Sequence, residues 1–125
     1  MNMGQKKQLA MKGSPAIRRI LLRDPNSEVQ LAVVASPKTS ESEIESIAKI
    51  PATSEIVLKT IFSNSRWFKS YRIKLALTMN PKSPMSVVNR CIRTLTTHDL
   101  KKISQNSSLR KVVSQAATRL LKTRR

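Results

Sequence analysis

The chain has 125 residues and a net charge of +17, from 24 Lys and Arg against seven Asp and Glu. Its hydrophobic fraction of 39% is enough for a folded core, which argues against wholesale disorder. One Cys excludes a disulfide framework and a Cys-based zinc site, and two Gly exclude a glycine-rich phosphate loop. We therefore expect a small basic domain in the cytoplasm, with nucleoid association as one form of that location. We expect no transmembrane segment, because no apolar run approaches the roughly 18 residues that span a bilayer.

Apolar periodicity and the spacing of prolines predict nine short helices and no strand. The predicted helices are 4–12, 15–23, 27–35, 41–49, 54–63, 68–79, 85–95, 98–105 and 108–122. At the start of the fourth helix, Ser40 and Glu43 have the spacing of a capping box. In such a box the hydroxyl accepts from the Glu43 amide, and the carboxylate returns to the Ser40 amide. Thr96 and Asp99 form a weaker version of the same pattern.

Short stretches of the sequence repeat at fixed offsets. Residues 29–39 (VQLAVVASPKT) match residues 73–83 (IKLALTMNPKS) at an offset of 44, and residues 8–15 match the segment 22 positions later. A gapped match at an offset of 56 pairs residues 44–57 with residues 100–113, so that the second copy carries about one extra short helix. The repeating unit is therefore predicted to be a helix, a turn of small residues and Pro, and a second helix.

In both copies Leu-Ala is followed, after three further residues, by Asn or Ser, then by Pro-Lys, and then by Thr or Ser. This motif, followed by short helices, resembles HEAT-like and leucine-rich-repeat-variant solenoids. It is similar in particular to small bacterial proteins of that type, over about residues 5–121. The resemblance rests on packing motifs, and it implies a curved right-handed stack and a binding surface rather than a reaction. We accordingly predict one all-α domain over residues 1–125, an α-solenoid of stacked short helices. Its repeat halves are predicted at 5–63 and 64–122, with a basic C-terminal tail at 123–125.

The basic charge is concentrated in the second half of the chain. Residues 1–23 carry a charge of +6, residues 24–55 carry −4, and residues 56–125 carry +15 with Asp99 as the single acid. Stacked helices present equivalent faces, so we expect these basic side chains to align into one band that binds a polyanion. If the basic residues served only solubility, the second half of the chain would have no need to be so poor in acidic residues. The predicted polyanion-binding residues are Arg66, Lys69, Arg72, Lys74, Arg90, Arg93, Lys101, Lys102, Lys111, Arg119 and Lys122.

Aromatic and basic residues interleave in the segment 66–74, with the sequence RWFKSYRIK. Tyr71 and Trp67 are candidates for stacking on unpaired bases, beside cations that bind phosphates. In the alternative that we favour, Trp67, Phe68 and Tyr71 pack the junction between the two repeat halves. Of the three, Tyr71 is then the one expected to be partly exposed.

The sequence predicts no enzyme, no catalytic residue, no cofactor and no small-molecule substrate. His98, the single histidine, adjoins Asp99 at a helix start, where capping and surface exposure explain both residues. Cys91 lies in an apolar segment and is expected to be buried and inert. No spacing of His, Cys, Asp and Glu indicates a metal site.

Three kinds of partner are consistent with these features. The favoured function is backbone-directed, weakly sequence-specific binding of nucleic acid, or of another polyanion. The second is a protein-interaction adaptor or scaffold that holds an acidic partner in the groove of the solenoid. The third is binding to an anionic membrane surface through the basic N-terminal helix and the C-terminal tail.

Overall fold

The structure is a computed structural model that describes residues 2–21 and 26–124. Over these ranges 72% of the residues lie in helices and none lies in a strand, which confirms the all-α prediction. The helices are α1 (Met3–Lys12), α2 (Pro15–Leu21), α3 (Ser27–Ala35), α4 (Glu41–Lys49), α5 (Glu55–Ser63), α6 (Ser65–Phe68), α7 (Tyr71–Met79), α8 (Met85–Ile92), α9 (Thr97–Ser104) and α10 (Lys111–Thr123). The predicted end of the second helix, at Arg23, lies outside the described residues.

The described part of the chain has one helix more than predicted, because a short helix separates α5 from α7. The Asn64 side chain caps this short helix by accepting a hydrogen bond from the Arg66 amide at 2.9 Å. Ser70 then caps α7 by accepting from the Ile73 amide at 3.3 Å. The predicted helix 68–79 therefore begins three residues later, and Phe68 ends a different element.

The predicted capping box at the start of α4 is only half formed. Ser40 Oγ accepts from the Glu43 amide at 3.3 Å, as expected. The Glu43 carboxylate, however, accepts two hydrogen bonds from Arg18, at 2.6 and 2.8 Å, instead of returning to the Ser40 amide. A bidentate charge-assisted pair outcompetes a neutral amide donor, and here it ties α2 to α4. The Arg18 side chain is 3% exposed and also donates to the carbonyl oxygens of Gly13 and Lys38.

The helices form two packed sets, and, with the short α6 left aside, helices that follow one another in the chain belong alternately to one set and the other. In one set α3 packs against α1 and α5, Arg90 of α8 lies over the Phe62 ring of α5, and α8 packs against α10. In the other set the Arg18 ion pair joins α2 to α4, α4 packs against α7, and Tyr71 of α7 donates to Asp99 of α9. From α2 onward, the first residues of successive helices within a set are 26–30 positions apart.

Successive helices of one set run parallel, as α4 and α7 illustrate. Near the starts of both helices, Ser70 donates to the Glu41 carboxylate. At their ends, Asn80 Nδ2 donates to the carbonyl oxygens of Ala48 and Ile50 at 2.7 and 3.0 Å. The sequence match at an offset of 44 pairs α3 with α7, which lie in different sets, so it reflects similar helix-and-turn sequences rather than equivalent positions. The match at an offset of 56 pairs α4 and α5 with α9 and α10, which do occupy the same sets.

Three turns share a Pro followed two residues later by Thr or Ser, at Thr39, Thr53 and Ser83. Each hydroxyl donates to the carbonyl oxygen six residues earlier, at 2.6, 2.8 and 2.5 Å respectively. A helix that ends before a proline leaves carbonyl groups without a partner, and these hydroxyls satisfy them. The sequence motif therefore has a direct role in ending the helices.

Arginine side chains from later in the chain bind two of these turns, and a third arginine binds the turn after α8. Arg66 donates to Thr39 O at 3.1 Å, and Arg110 donates to Ser83 O at 3.0 Å, each across 27 residues. Arg124 donates to Leu95 O at 2.6 Å across 29 residues. Within the basic tail predicted at 123–125, Thr123 is the last residue of α10 and Arg124 is bound to this carbonyl; Arg125 lies outside the described residues.

The described residues form two hydrophobic clusters that meet in α8. Val87 and Cys91 belong to the larger cluster, which extends from α2 to α8 and includes Trp67. Val88 and Ile92 belong to the smaller cluster, formed with α9 and α10. Because both faces of α8 are buried, its polar residues project from the remaining edge, and one of them, Arg90, lines the cleft described next.

Candidate functional site

The positive charge of the second half is not neutralised by ion pairs. In the first half, Glu28 pairs with Lys7 at 3.3 Å, and Lys49 pairs with Glu45 at 2.8 Å. Among the residues that the structure describes, no Lys or Arg after Lys49 belongs to an ion pair. Asp99, the single acid of this half, accepts a hydrogen bond from the Tyr71 hydroxyl instead. The basic side chains after Lys49 therefore have no acidic partner among the described residues.

The predicted basic residues lie on more than one face of the molecule. Lys74 of α7 lines a cleft together with Arg90 and Arg93. Arg72 and Lys102 instead line grooves on the other side of α7. Positions 72 and 74 differ by about 200° around a helix, so they cannot share a face. The single band predicted from the sequence is therefore divided, and only Lys74, Arg90 and Arg93 are brought together in one cleft.

The other predicted residues are distributed along the surface. Lys69, which follows α6 as its C-cap, and Lys101 of α9 are exposed, and three residues share an exposed face of α10. Those three are Lys111, Arg119 and Lys122. Arg66 has a structural role, because its guanidinium donates to the turn before α4 and lies 4.3 Å from the ring centre of Trp67.

The cleft has a volume of ≈ 230 Å³ and combines cations with aromatic rings. The rings of Phe62 and Phe68 meet edge to face, with centres 5.7 Å apart. Lys74 Nζ lies 4.8 Å from the centre of the Phe68 ring, and the Arg90 guanidinium lies 5.7 Å from that of Phe62. Arg93, one turn after Arg90, completes the basic rim. We call this the basic cleft, and its lining residues are Phe62, Phe68, Lys74, Arg90, Cys91, Arg93 and Thr94.

The aromatic residues of the segment 66–74 differ from the predicted roles. Trp67 is 3% exposed, so it packs in the core, as in the interpretation that we favour, and its ring offers no face for stacking. Phe68 shows the reverse: it was expected to pack, but it is 43% exposed and lines the basic cleft. Tyr71 is 36% exposed, as expected, with its hydroxyl engaged by Asp99. Phe62 and Phe68 are thus the site residues that the sequence interpretation missed.

Cys91 lines the basic cleft, and its thiol is expected to be unreactive in the folded protein. It is buried, as predicted, and burial raises the pKa of its thiol to about 11, although the charges of Lys74 and Arg90 act to lower that pKa. The thiol is therefore neutral at physiological pH and supplies neither a nucleophile nor a negative charge.

We expect Cys91 to react slowly with Ellman's reagent in the native protein at pH 8. With a pKa of about 11, only about a thousandth of the thiol is ionised at that pH. Unfolding in urea should restore the rate of an ordinary free thiol, and stopped-flow absorbance measures both rates. Equal rates in the folded and unfolded protein would contradict the burial of this residue.

A second concave surface lies on the opposite side of α7. This groove has a volume of ≈ 640 Å³ and is mostly apolar, with Leu75, Ala76 and Met79 of α7 along its floor. A smaller pocket of ≈ 250 Å³ shares Leu75 and Met79 with it and extends the surface toward α9. Arg72 and Lys102 lie at the edges of this continuous surface, which we call the apolar groove.

Comparisons with protein-family models, curated proteins and solved structures give no match to this chain. Among the described residues, no group of three His, Cys, Asp or Glu side chains is placed to hold a metal ion. Within the same residues, the helices are too short or too polar for any of them to cross a membrane. The function is therefore argued from the basic cleft and the apolar groove.

Proposed function

We propose that this chain is a non-enzymatic HEAT-like α-solenoid. The support is the regular packing of its helices: two alternating sets, parallel neighbours within a set, and offsets of 26–30 residues. Further support comes from hydroxyls that recur in the turns at Thr53 and Ser83, and from arginines that reach back 27 residues to the turns at Thr39 and Ser83. Such contacts between neighbouring units are typical of repeat proteins, which commonly present an extended binding surface.

We further propose that the protein binds nucleic acid through the basic cleft, by contacts to the backbone with weak sequence specificity. The observation that carries this proposal is the convergence of Lys74, Arg90 and Arg93 on one cleft, in a half of the protein where no described cation has an acidic partner. Such a cluster binds a polyanion favourably because condensed counterions are released from the phosphates. A protein with this function would act in the cytoplasm or at the nucleoid.

Helix capping explains only part of this cluster. Arg93 is the C-cap residue of α8, where cations are stabilised by the negative end of the helix dipole. That effect is worth about 0.3–1 kcal/mol per exposed residue. It does not apply to Lys74, which lies in the middle of α7 and points its amine at the Phe68 ring. The convergence of three cations therefore needs a second explanation, and phosphate binding supplies it.

Fluorescence anisotropy with random single- and double-stranded DNA and RNA tests this function. If Lys74, Arg90 and Arg93 each neutralise one phosphate, the plot of log affinity against log salt should have a slope between about −2 and −3. Affinity should then fall about 20- to 40-fold between 50 and 200 mM salt. No binding at 50 mM salt, or binding that is insensitive to salt, would overturn the proposal.

A protein-interaction adaptor is the second candidate, and the apolar groove favours it. Its apolar residues Leu75 and Met79 suit a peptide that carries apolar anchors. Three cations line it (Lys49, Arg72 and Lys102) against two acids (Glu45 and Asp99), which favours a peptide with a small excess of acidic residues. This function becomes the better one if such a peptide binds while nucleic acid does not. The membrane-surface alternative gains less support, because Arg124 in the predicted tail is bound to the Leu95 carbonyl.

A further inference from the structure

Two of the four aromatic residues of the chain, Phe62 and Phe68, line the basic cleft, and Phe68 is exposed. Phe68 is 43% exposed, although the chain has few large residues with which to fill its core. Leaving an aromatic ring in contact with water forfeits part of the free energy that its burial would give. The ring is held in place from the side by Phe62, at a centre-to-centre distance of 5.7 Å. The ring therefore has a packed aromatic neighbour while much of its surface stays accessible.

The cations of the cleft are arranged around these rings. The amine of Lys74 lies 4.8 Å from the centre of the Phe68 ring, in a cation–π contact. The guanidinium of Arg90 is placed similarly at Phe62, with a separation of 5.7 Å. Both cations sit on flexible side chains, so they can leave the rings for a phosphate while a flat group takes their place. No carboxylate is among the lining residues in the described part of the chain, and the Cys91 thiol is neutral.

A ligand that uses both the rings and the cations must have a flat π surface next to negative charge. An unpaired nucleotide has both, because its base is free to stack and its phosphates flank the base. A duplex offers only its phosphates, since its bases are already paired and stacked inside. An acidic peptide offers carboxylates without the flat surface in general. The chemistry of the cleft therefore discriminates among polyanions in favour of single strands.

We propose that the basic cleft binds single-stranded nucleic acid, with one unpaired base stacked on Phe68 and the flanking phosphates held by Lys74, Arg90 and Arg93. This inference rests on the proposed nucleic-acid-binding function and adds the class of ligand. The cleft volume of ≈ 230 Å³ limits the stacked group to about one base. Phe68 would contact the π face of the base rather than its hydrogen-bonding edge, so the cleft would prefer unpaired bases of any sequence.

The test compares the affinities of the protein for an oligothymidylate and for a duplex of the same length, at one salt concentration. The variants are F68A and F68L, which both remove the π surface, and F68W, which retains it. We expect the wild type to prefer the single strand, and F68A and F68L to lower that affinity at least about fivefold. F68W should retain the wild-type affinity, and duplex binding should be nearly unchanged in all three variants.

Val112→Ala is the matched control, because Val112 is a similarly exposed apolar residue on the basic half, outside the cleft. Circular dichroism verifies that each variant is folded, and the fluorescence of Trp67, the single tryptophan of the wild type, does so for every variant except F68W. Equal wild-type affinity for single strand and duplex, or undiminished single-strand binding by F68A, would overturn stacking on Phe68 while leaving nucleic-acid binding intact. Absence of binding to any nucleic acid would overturn the underlying function as well. Competition by poly-glutamate as effective as that of the oligothymidylate would show that charge alone is recognised and would also overturn the inference.

Discussion

Replacing Arg90 and Arg93 together by Gln should lower the affinity for nucleic acid by about 60- to 200-fold at 50 mM salt. Both side chains are exposed and belong to the basic cleft, so their loss removes two phosphate contacts without opening the core. The slope of log affinity against log salt should become shallower by about 1.5 to 2. Fluorescence anisotropy across a salt series measures both quantities in one experiment.

A double variant with the same change in net charge provides the control. Lys12 and Arg19 are exposed in α1 and α2, far along the chain from the cleft, and their replacement by Gln should change affinity little. The loss in the Arg90 and Arg93 variant should be similar for all sequences, as expected for backbone contacts. A loss confined to one sequence would contradict backbone-directed binding. Equal losses in the two double variants would show that net charge matters and the cleft does not.

Replacing Glu43 by Gln should destabilise the protein by about 3 kcal/mol at pH 7. Arg18, whose side chain is 3% exposed, would keep its charge in a buried position and lose its anionic partner. Urea unfolding followed by circular dichroism gives this difference, which corresponds to a decrease in melting temperature of roughly 10 °C. Glu45→Gln removes the partner of the exposed Lys49 and should cost less than about 0.5 kcal/mol.

The same pair predicts a dependence of stability on pH. Hydrogen bonds from Arg18 hold the pKa of the Glu43 carboxyl below its ordinary value of 4.5. A carboxyl whose pKa is lower in the folded state stabilises the fold above its unfolded pKa, and this contribution is lost as the pH falls through the folded pKa. The difference between wild type and Glu43→Gln should therefore be constant above about pH 5 and shrink in more acidic solution. A constant difference down to acidic pH would contradict the lowered pKa.

Features that depend on neighbouring residues in the chain were predictable from the sequence. The apolar stripe of α10 and the hydroxyl of Ser40 at the start of α4 follow from spacings of three and four residues. The bond from the Thr96 hydroxyl to the Asp99 amide is a further local feature, and it forms at 3.2 Å. Helix existence and most helix starts follow from such local signals.

The features that could not be predicted from the sequence depend on contacts between residues that are far apart in the chain. Arg18 and Glu43 each have the appearance of a surface residue, and only their meeting across 25 residues buries both. Arg66 was expected to bind phosphate, but a carbonyl group 27 residues earlier holds it. The orientation of Phe68 depends on the separate short helix after α5, because consecutive helical residues point in different directions and Trp67 takes the inward one.

The arginines that reach back to earlier turns have a consequence for synthesis of the chain on the ribosome. The carbonyl of Thr39 receives its bond from Arg66, and the carbonyl of Ser83 receives its bond from Arg110. An emerging chain must therefore extend 27 residues beyond each of these turns before that turn can acquire its full set of bonds. Structure would be completed from the N-terminal end with a lag of about one helix pair, and the last pair to emerge would secure the one before it.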